Sequence, residues 1–174
     1  AWRADILHEV DLIEDIAIAY GYDKLTPEIP EVATIGEESR KSKVESKIAE
    51  VLIGLELIET STYHLIKEDE KIHLNENEKI ELVDSKSEYK LLRPNLIIPT
   101  LRILAENKDN EYPQKIFEIG TVFSKDTKNK EETGIKESQN LIVAYTPGNF
   151  TEIKQILDYL FKMLGKVYSL RETN

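Results

Sequence analysis

The stretch QKIFEIGTVF, Gln114–Phe123, reads as a strand, since Ile, Phe, Thr and Val dominate it. QNLIVAYTPG, from Gln139, returns as its partner. The polar stretch Ser124–Ser138, with Gly134, reads as a long exposed hairpin loop between them. Beyond the hairpin, Asn149 and Glu152 form a capping box. The stripe Ile153, Ile156, Leu157, Leu160, Phe161 and Leu164 marks the strongest helix of the chain, ended by Gly165. Lys166–Glu172 reads as one more strand.

Upstream, LLRPNLIIPTLRILAENK predicts a helix from Asn95 or Leu96 through Asn107, with Pro99 tolerable only in its first turn. Leu57–Ile66 is rich in Thr, Ile and Tyr and reads as a strand. Lys67–Lys79 is charged and turn-like, and KIELVD after it makes a short strand. A further helix is expected from about Ser39 to Leu55, with the stripe Val44, Ile48, Val51, Leu52 and Leu55. Hairpin strands with helices between them argue for an α+β domain with a mainly antiparallel sheet.

The first part of the chain differs. In RADILHEVDLIEDIAIAYGYDKL, Arg3–Leu25, the residues Ile13, Ile16, Ala17 and Tyr20 form a stripe expected to be buried, and Gly21 supplies the stop. Asp11, Glu14 and Asp15 crowd the opposite side, where they repel one another, and Asp5 lies just ahead. The helix macrodipole accounts for Asp11 and one neighbour. Two readings stand for the rest. One is a solvated acidic face; the other is a hard divalent cation such as Mg²⁺, which takes oxygen ligands. The segment after Gly21, with Pro27, Pro30 and Gly36, lacks periodicity and reads as a linker or a strap across a surface. The expected division is 1–27, a linker 28–38, and a domain 39–174.

Composition narrows the function. The 174 residues are 40% hydrophobic and 32% charged, which describes a soluble globular protein. No apolar run approaches the ~20 residues that span a bilayer. The absence of cysteine removes disulfides, Cys-ligated zinc and thiol catalysis, and fits a reducing cytoplasm. His8, His64 and His73 are too scattered for a zinc signature, and the dense Glu, Lys and Ile resembles a thermophile's composition. A net charge of −10 argues against a chain whose main work is gripping phosphate backbones. The basic run RKSKVESK, Arg40–Lys47, is balanced by Glu38 and Glu45. The chain begins at Ala1 without an initiator Met, and a piece of a longer protein is expected.

Several blocks, in order, carry a family resemblance. WRADILHEVDLIEDIAIAYGYDKLTPEIP resembles the end of the B5 domain of phenylalanyl-tRNA synthetase β subunits, with its W-R-x-D-I, acidic helix and Y-G-Y-D. GLELIETSTYHLI, LLRPNLIIPTLRILAENK, KIFEIGTVF and TEIKQILDYLFKMLG resemble the catalytic-like core domain that follows, in its archaeal and eukaryotic type. The match thins in Lys67–Lys79 and Ser124–Ser138. The resemblance implies a class II synthetase-like fold: an antiparallel sheet flanked by helices, preceded by the last strand and helix of B5. It also implies a cytoplasmic (αβ)₂ heterotetramer that joins phenylalanine to tRNA(Phe) with ATP and Mg²⁺. The α subunit of the family holds the active site, and the β core lacks the catalytic residues.

The residues agree with that division of labour. Class II catalytic domains present one arginine in an F-R-x-E motif and another in a Gly-rich motif. Here FEIG, Phe117–Gly120, stands without the arginine, and no Gly-rich motif is present. Arg93 and Arg102 are assigned structural or solvent-facing roles, and Glu118 beside a phosphate would repel it. The family's magnesium pattern, D-x5-D-x2-E-E, falls on Asp5, Asp11, Glu14 and Asp15, the last shorter by one methylene than the usual Glu. A second reading, of a different class, is a free-standing synthetase-like binding module. An independent catalytic synthetase is disfavoured by the missing motifs.

Overall fold

The computed structural model describes residues 4–33, 35–70, 74, 79–83, 85–126 and 133–171. They fall into two compact units, Ala1–Glu37 and Glu38–Asn174.

Among its described residues, the first unit holds one helix, α1 (Glu9–Tyr20), and a single 3₁₀ turn, Tyr22–Lys24. Gly21 ends α1 at φ 101°, a positive value natural to glycine. The stripe expected to be buried is not: Ile13, Ile16 and Tyr20 are all more than half exposed, and α1 has no buried residue. Among the described residues of this unit, no second helix or strand is present to cover that stripe. Residues 4–8 are turn and irregular backbone, so the strand expected there is not present among them. The remainder of that expectation falls on residues 1–3, outside the described residues.

The second unit is α+β. Helix α2 (Arg40–Gly54) starts at Ser39, whose hydroxyl accepts from the Ser42 amide at 3.0 Å. Then come β1 (Ile58–Glu59), β2 (Leu65–Lys67), β3 (Tyr89–Leu92), α3 (Ile97–Glu106), β4 (Gln114–Lys125), β5 (Ile135–Thr146) and α4 (Phe150–Met163). Three strands form one sheet in the order β1-β4-β5, and β2-β3 form a separate antiparallel pair. The β4/β5 hairpin dominates, with unbroken antiparallel register from Gln114↔Thr146 to Lys125↔Ile135. Among the described residues, its strands reach well into the segment expected to be loop.

Two further expectations change. The single strand expected over Leu57–Ile66 divides between the sheets: Ile58 and Glu59 pair with β4 in parallel, while Leu65 begins β2. Thr60 and Thr62 between them bond across to Phe117 and Glu118, which turns the chain out of one sheet and into the other. Lys166–Arg171 is not a strand. Instead Tyr168 folds back, its ring 4.7 Å from that of Phe161 and its hydroxyl donating to Asp158. Asp158 also accepts a hydrogen bond from Lys154 Nζ at 2.6 Å, and the bonds from Lys154 and Tyr168 hold its carboxyl below the usual aspartate range. KIELVD contributes one isolated bridge, Glu81↔Leu91.

The core has two parts. Leu52, Leu57, Phe117 and Leu160 gather α2, β4 and α4, with Ile48, Val51, Ile156 and Leu164 packed around them. Ile66, Leu74, Leu91 and Ile98 form a second cluster under α3. The capping box at α4 forms in both directions: Glu152 N–H donates to Asn149 at 3.1 Å and Asn149 N–H to Glu152 at 2.9 Å. Asn95 accepts from the Ile97 amide to start α3, and Pro99 lies buried in its first turn.

Candidate functional site

Two places carry chemistry: the acidic helix of the first unit and a buried charge cluster in the second. In the acidic helix, Asp11 is the third residue of α1 and closes a reciprocal cap. Its Oδ2 accepts from the amides of Leu7 and His8, both at 2.8 Å, and His8 Nδ1 accepts from Val10. The two backbone bonds hold the Asp11 carboxyl below its ordinary range, that to His8 contributing most. Asp5 lies in the turn ahead, and Glu14 and Asp15 lie exposed farther along the helix. Among the described residues, no three or more His, Cys, Asp or Glu side chains converge where they could hold a metal ion. Asp11 has a capping role that needs no ion.

The second place was only half legible. Among the described residues, Arg93 and Glu118 are the charged residues most deeply buried, at 1% and 2% exposure. Arg93 Nη1 donates to Glu118 Oε1 at 2.6 Å and to Thr62 Oγ1 at 2.6 Å, and Nε donates to the Thr121 carbonyl at 2.8 Å. Thr62 completes the ring by donating its hydroxyl to Glu118 Oε2 at 2.7 Å. The backbone does the same work: Arg93 N–H donates to His64, and Phe123 N–H donates to the Arg93 carbonyl. Arg93 thus joins the β2-β3 pair to β4. Of the two roles open to Arg93, the structural one is right; Glu118 faces this guanidinium. The missed signal lay in the strand pattern. Glu118 shares a face with Ile116 and Val122 in an otherwise apolar run, and a charge there requires a buried partner.

Arg102 is also committed. Its Nη1 reaches both oxygens of Glu70 at 2.9 Å, and its guanidinium lies 5.5 Å from the centre of the Tyr89 ring. Both core arginines expected to be structural or solvent-facing therefore hold carboxylates. Chemically, the arrangement neutralises charge inside the fold and offers no guanidinium of this pair to a phosphate.

Gly120 makes the Arg93 cluster possible. A Cβ there would run into the Arg93 guanidinium and stand 2.9 Å from Glu118 Oε1 and 3.2 Å from Leu96. Gly120→Ala is expected to cost about 1–3 kcal/mol, the range for overpacking a filled core. Denaturant unfolding measures it. A loss under about 0.5 kcal/mol, the usual bound for surface changes, would show that the cluster is not close-packed.

Two family models match the chain, and they divide it ahead of the boundary between the two compact units. Residues 25–174 match the family model of the phenylalanyl tRNA synthetase beta chain CLM domain, and residues 1–22 match that of the tRNA synthetase B5 domain. The phenylalanine–tRNA ligase beta subunit of Thermococcus sibiricus is 34% identical over 99% of this chain and 31% of its own length. Those of Pyrococcus furiosus (33%, covering 99% and 32%) and Methanococcus aeolicus (35%, covering 98% and 32%) are similar. The chain spans about a third of the length of these curated relatives. Among solved structures, the pyrrolysyl-tRNA synthetase of Desulfitobacterium hafniense aligns at TM-score 0.58 with 19% identity, over 95% of this chain and 61% of that one. The ATP phosphoribosyltransferase regulatory subunit/histidyl-tRNA synthetase of Bacillus halodurans C aligns at 0.59 with 15% identity, over 81% and 40%. Those two likenesses fix the fold, which is the class II synthetase type. The model match over residues 25–174 fixes the lineage: the chain belongs to the phenylalanyl-tRNA synthetase beta chain family.

Proposed function

We propose that this chain is a non-catalytic structural part of a phenylalanine–tRNA ligase β subunit. The complex would attach phenylalanine to its tRNA with ATP, and this part would support assembly with the α subunit in an (αβ)₂ heterotetramer in the cytoplasm. The observation that carries the reading is the burial of Arg93 against Glu118. Amino-acid activation develops negative charge on phosphate oxygens, and a preorganised cationic site must face it. In this core the strand KIFEIGTVF presents a carboxylate, and that carboxylate consumes the nearest guanidinium. A net charge of −10 makes capture of ATP less favourable still. ATP and the chemistry are accordingly assigned to α.

Phenylalanine-dependent exchange of pyrophosphate into ATP tests the assignment. The chain alone is expected to show none, and α joined to an intact β subunit is expected to show it. Robust exchange by the chain, abolished at Arg93 or Arg102, would overturn the reading.

Magnesium at Asp5, Asp11, Glu14 and Asp15 is proposed for the assembled complex, with further oxygen ligands coming from outside this chain. A bound ion stabilises by RT ln(1 + [L]/Kd). Added Mg²⁺ is expected to raise the melting temperature of the heterotetramer, and Asp11→Asn with Glu14→Gln to remove that shift. An equal shift in the double variant returns the four residues to a capped, solvated acidic face.

A further inference from the structure

Helix α4 ends in a full reversal. Gly165 takes φ 63°, its N–H donates to the Lys162 carbonyl at 3.1 Å, and the Lys166 N–H donates to the Phe161 carbonyl at 2.9 Å. This paired closure turns the chain back over the helix it has just left. Beyond Lys166 the backbone makes no such bonds. Among the described residues, no backbone–backbone hydrogen bond involves residues 167–171. Val167 and Leu170 are 99% and 53% exposed, and of residues 166–171 only Tyr168 is half-buried.

One side chain therefore carries the attachment. The Tyr168 ring lies 4.7 Å from that of Phe161, and its hydroxyl donates to Asp158. Phe161 and Asp158 stand one helical turn apart, so a single tyrosine spans that turn. Asp158 in turn accepts from Lys154 Nζ at 2.6 Å, one turn earlier. Cation, carboxylate and phenol thus follow one another along one side of α4. Ordering an exposed segment costs conformational entropy, and here the contacts of one residue offset it. A segment held at one point can open locally while the core stays folded.

We propose that residues 166–171 form a latch on α4, closed by Tyr168 alone and opened without disturbing the core. Closed, it covers the Phe161 ring and sets the direction in which the chain leaves the helix. Open, it bares that ring and leaves Asp158 to Lys154. The trigger is the phenol, which must keep its proton to donate to Asp158; without it, two anions meet. Asp158 and Lys154 are the charged groups that face it, and the bond to Asp158 pushes the Tyr168 hydroxyl above the ordinary tyrosine range. The closed latch holds the phenol neutral, so this contribution is whole below the ordinary range and is lost as pH rises through the raised value. On the acid side, the contribution of Asp158 is lost as pH falls through its lowered value, and the latch stays closed across neutrality. None of this depends on the assignment to a β subunit.

Amide hydrogen exchange and ultraviolet phenol titration of the chain test the latch, with Tyr168→Ala, Tyr168→Phe and Asp158→Asn. Exchange at the Lys166 amide is expected to quicken about tenfold or more in Tyr168→Ala, and less in Tyr168→Phe, which keeps the ring. The amides of β4 and β5 are expected to exchange as before in every variant. One of the eight tyrosines is expected to ionise above the ordinary range, to return to it in Asp158→Asn, and to vanish from the titration in Tyr168→Phe. Equal exchange at Lys166 in all forms overturns the latch. Faster exchange that spreads to β4 and β5 overturns it too, because the segment then belongs to the core. A phenol titration unmoved by Asp158→Asn overturns the trigger.

Discussion

The fold of the second unit depends on one buried ion pair. Arg93 and Glu118 are withdrawn from water almost completely, and either one alone would be costly to bury. Together, with Thr62 and the Thr121 carbonyl, they convert two charges into a closed hydrogen-bonded ring. That ring fixes three segments distant in sequence, because the path between the two sheets, the start of α3 and the middle of β4 must all meet there. A fold held this way has few alternative registers. A one-residue slip of β4 would send Glu118 to the opposite face and strand Arg93 without a partner. Gly120 belongs to the same constraint, since its missing side chain is the space the guanidinium fills.

The same pair is what the proposed non-catalytic reading rests on. A synthetase active site needs a cation ready for developing charge. Here the strand that would present it carries an acid, and the acid faces inward. Arg102 is taken up by Glu70 and lies over the Tyr89 ring. Both arginines hold carboxylates within the fold. This is consistent with membership in a family whose curated relatives are named as the β subunits of a ligase.

Local signals were legible where a single segment carries them. Asn149 with Glu152, Pro99 and the helix around Leu52 each act within a few residues, and each forms where its spacing indicates, although Val44 of that helix's stripe stays exposed. Reading failed where the decision lies with a distant partner. Leu57–Ile66 has uniform strand composition, yet Thr62 bonds Glu118 and the strand divides. Lys166–Arg171 has strand composition too, but Tyr168 is drawn onto Phe161 and Asp158. Polar composition concealed the length of the hairpin, because cross-strand pairing extends past the apolar residues. In α1 the periodicity was correctly helical, but amphipathicity states which face can be buried and not that a neighbour is present. The acidic residues there were legible as a cluster, and Asp11 as a cap only once the turn before it was visible.

The central claim, that Arg93 and Glu118 form a joint and not a site, is tested most directly by a double-mutant cycle in denaturant. Arg93→Met and Glu118→Leu are each expected to cost about 3–5 kcal/mol, because each leaves the other charge buried and unpaired. The double variant is expected to cost much less than the sum, giving a coupling of at least about 2 kcal/mol. Small, additive losses would contradict the account, since they would mean that neither charge depends on the other and that the guanidinium is free for another partner.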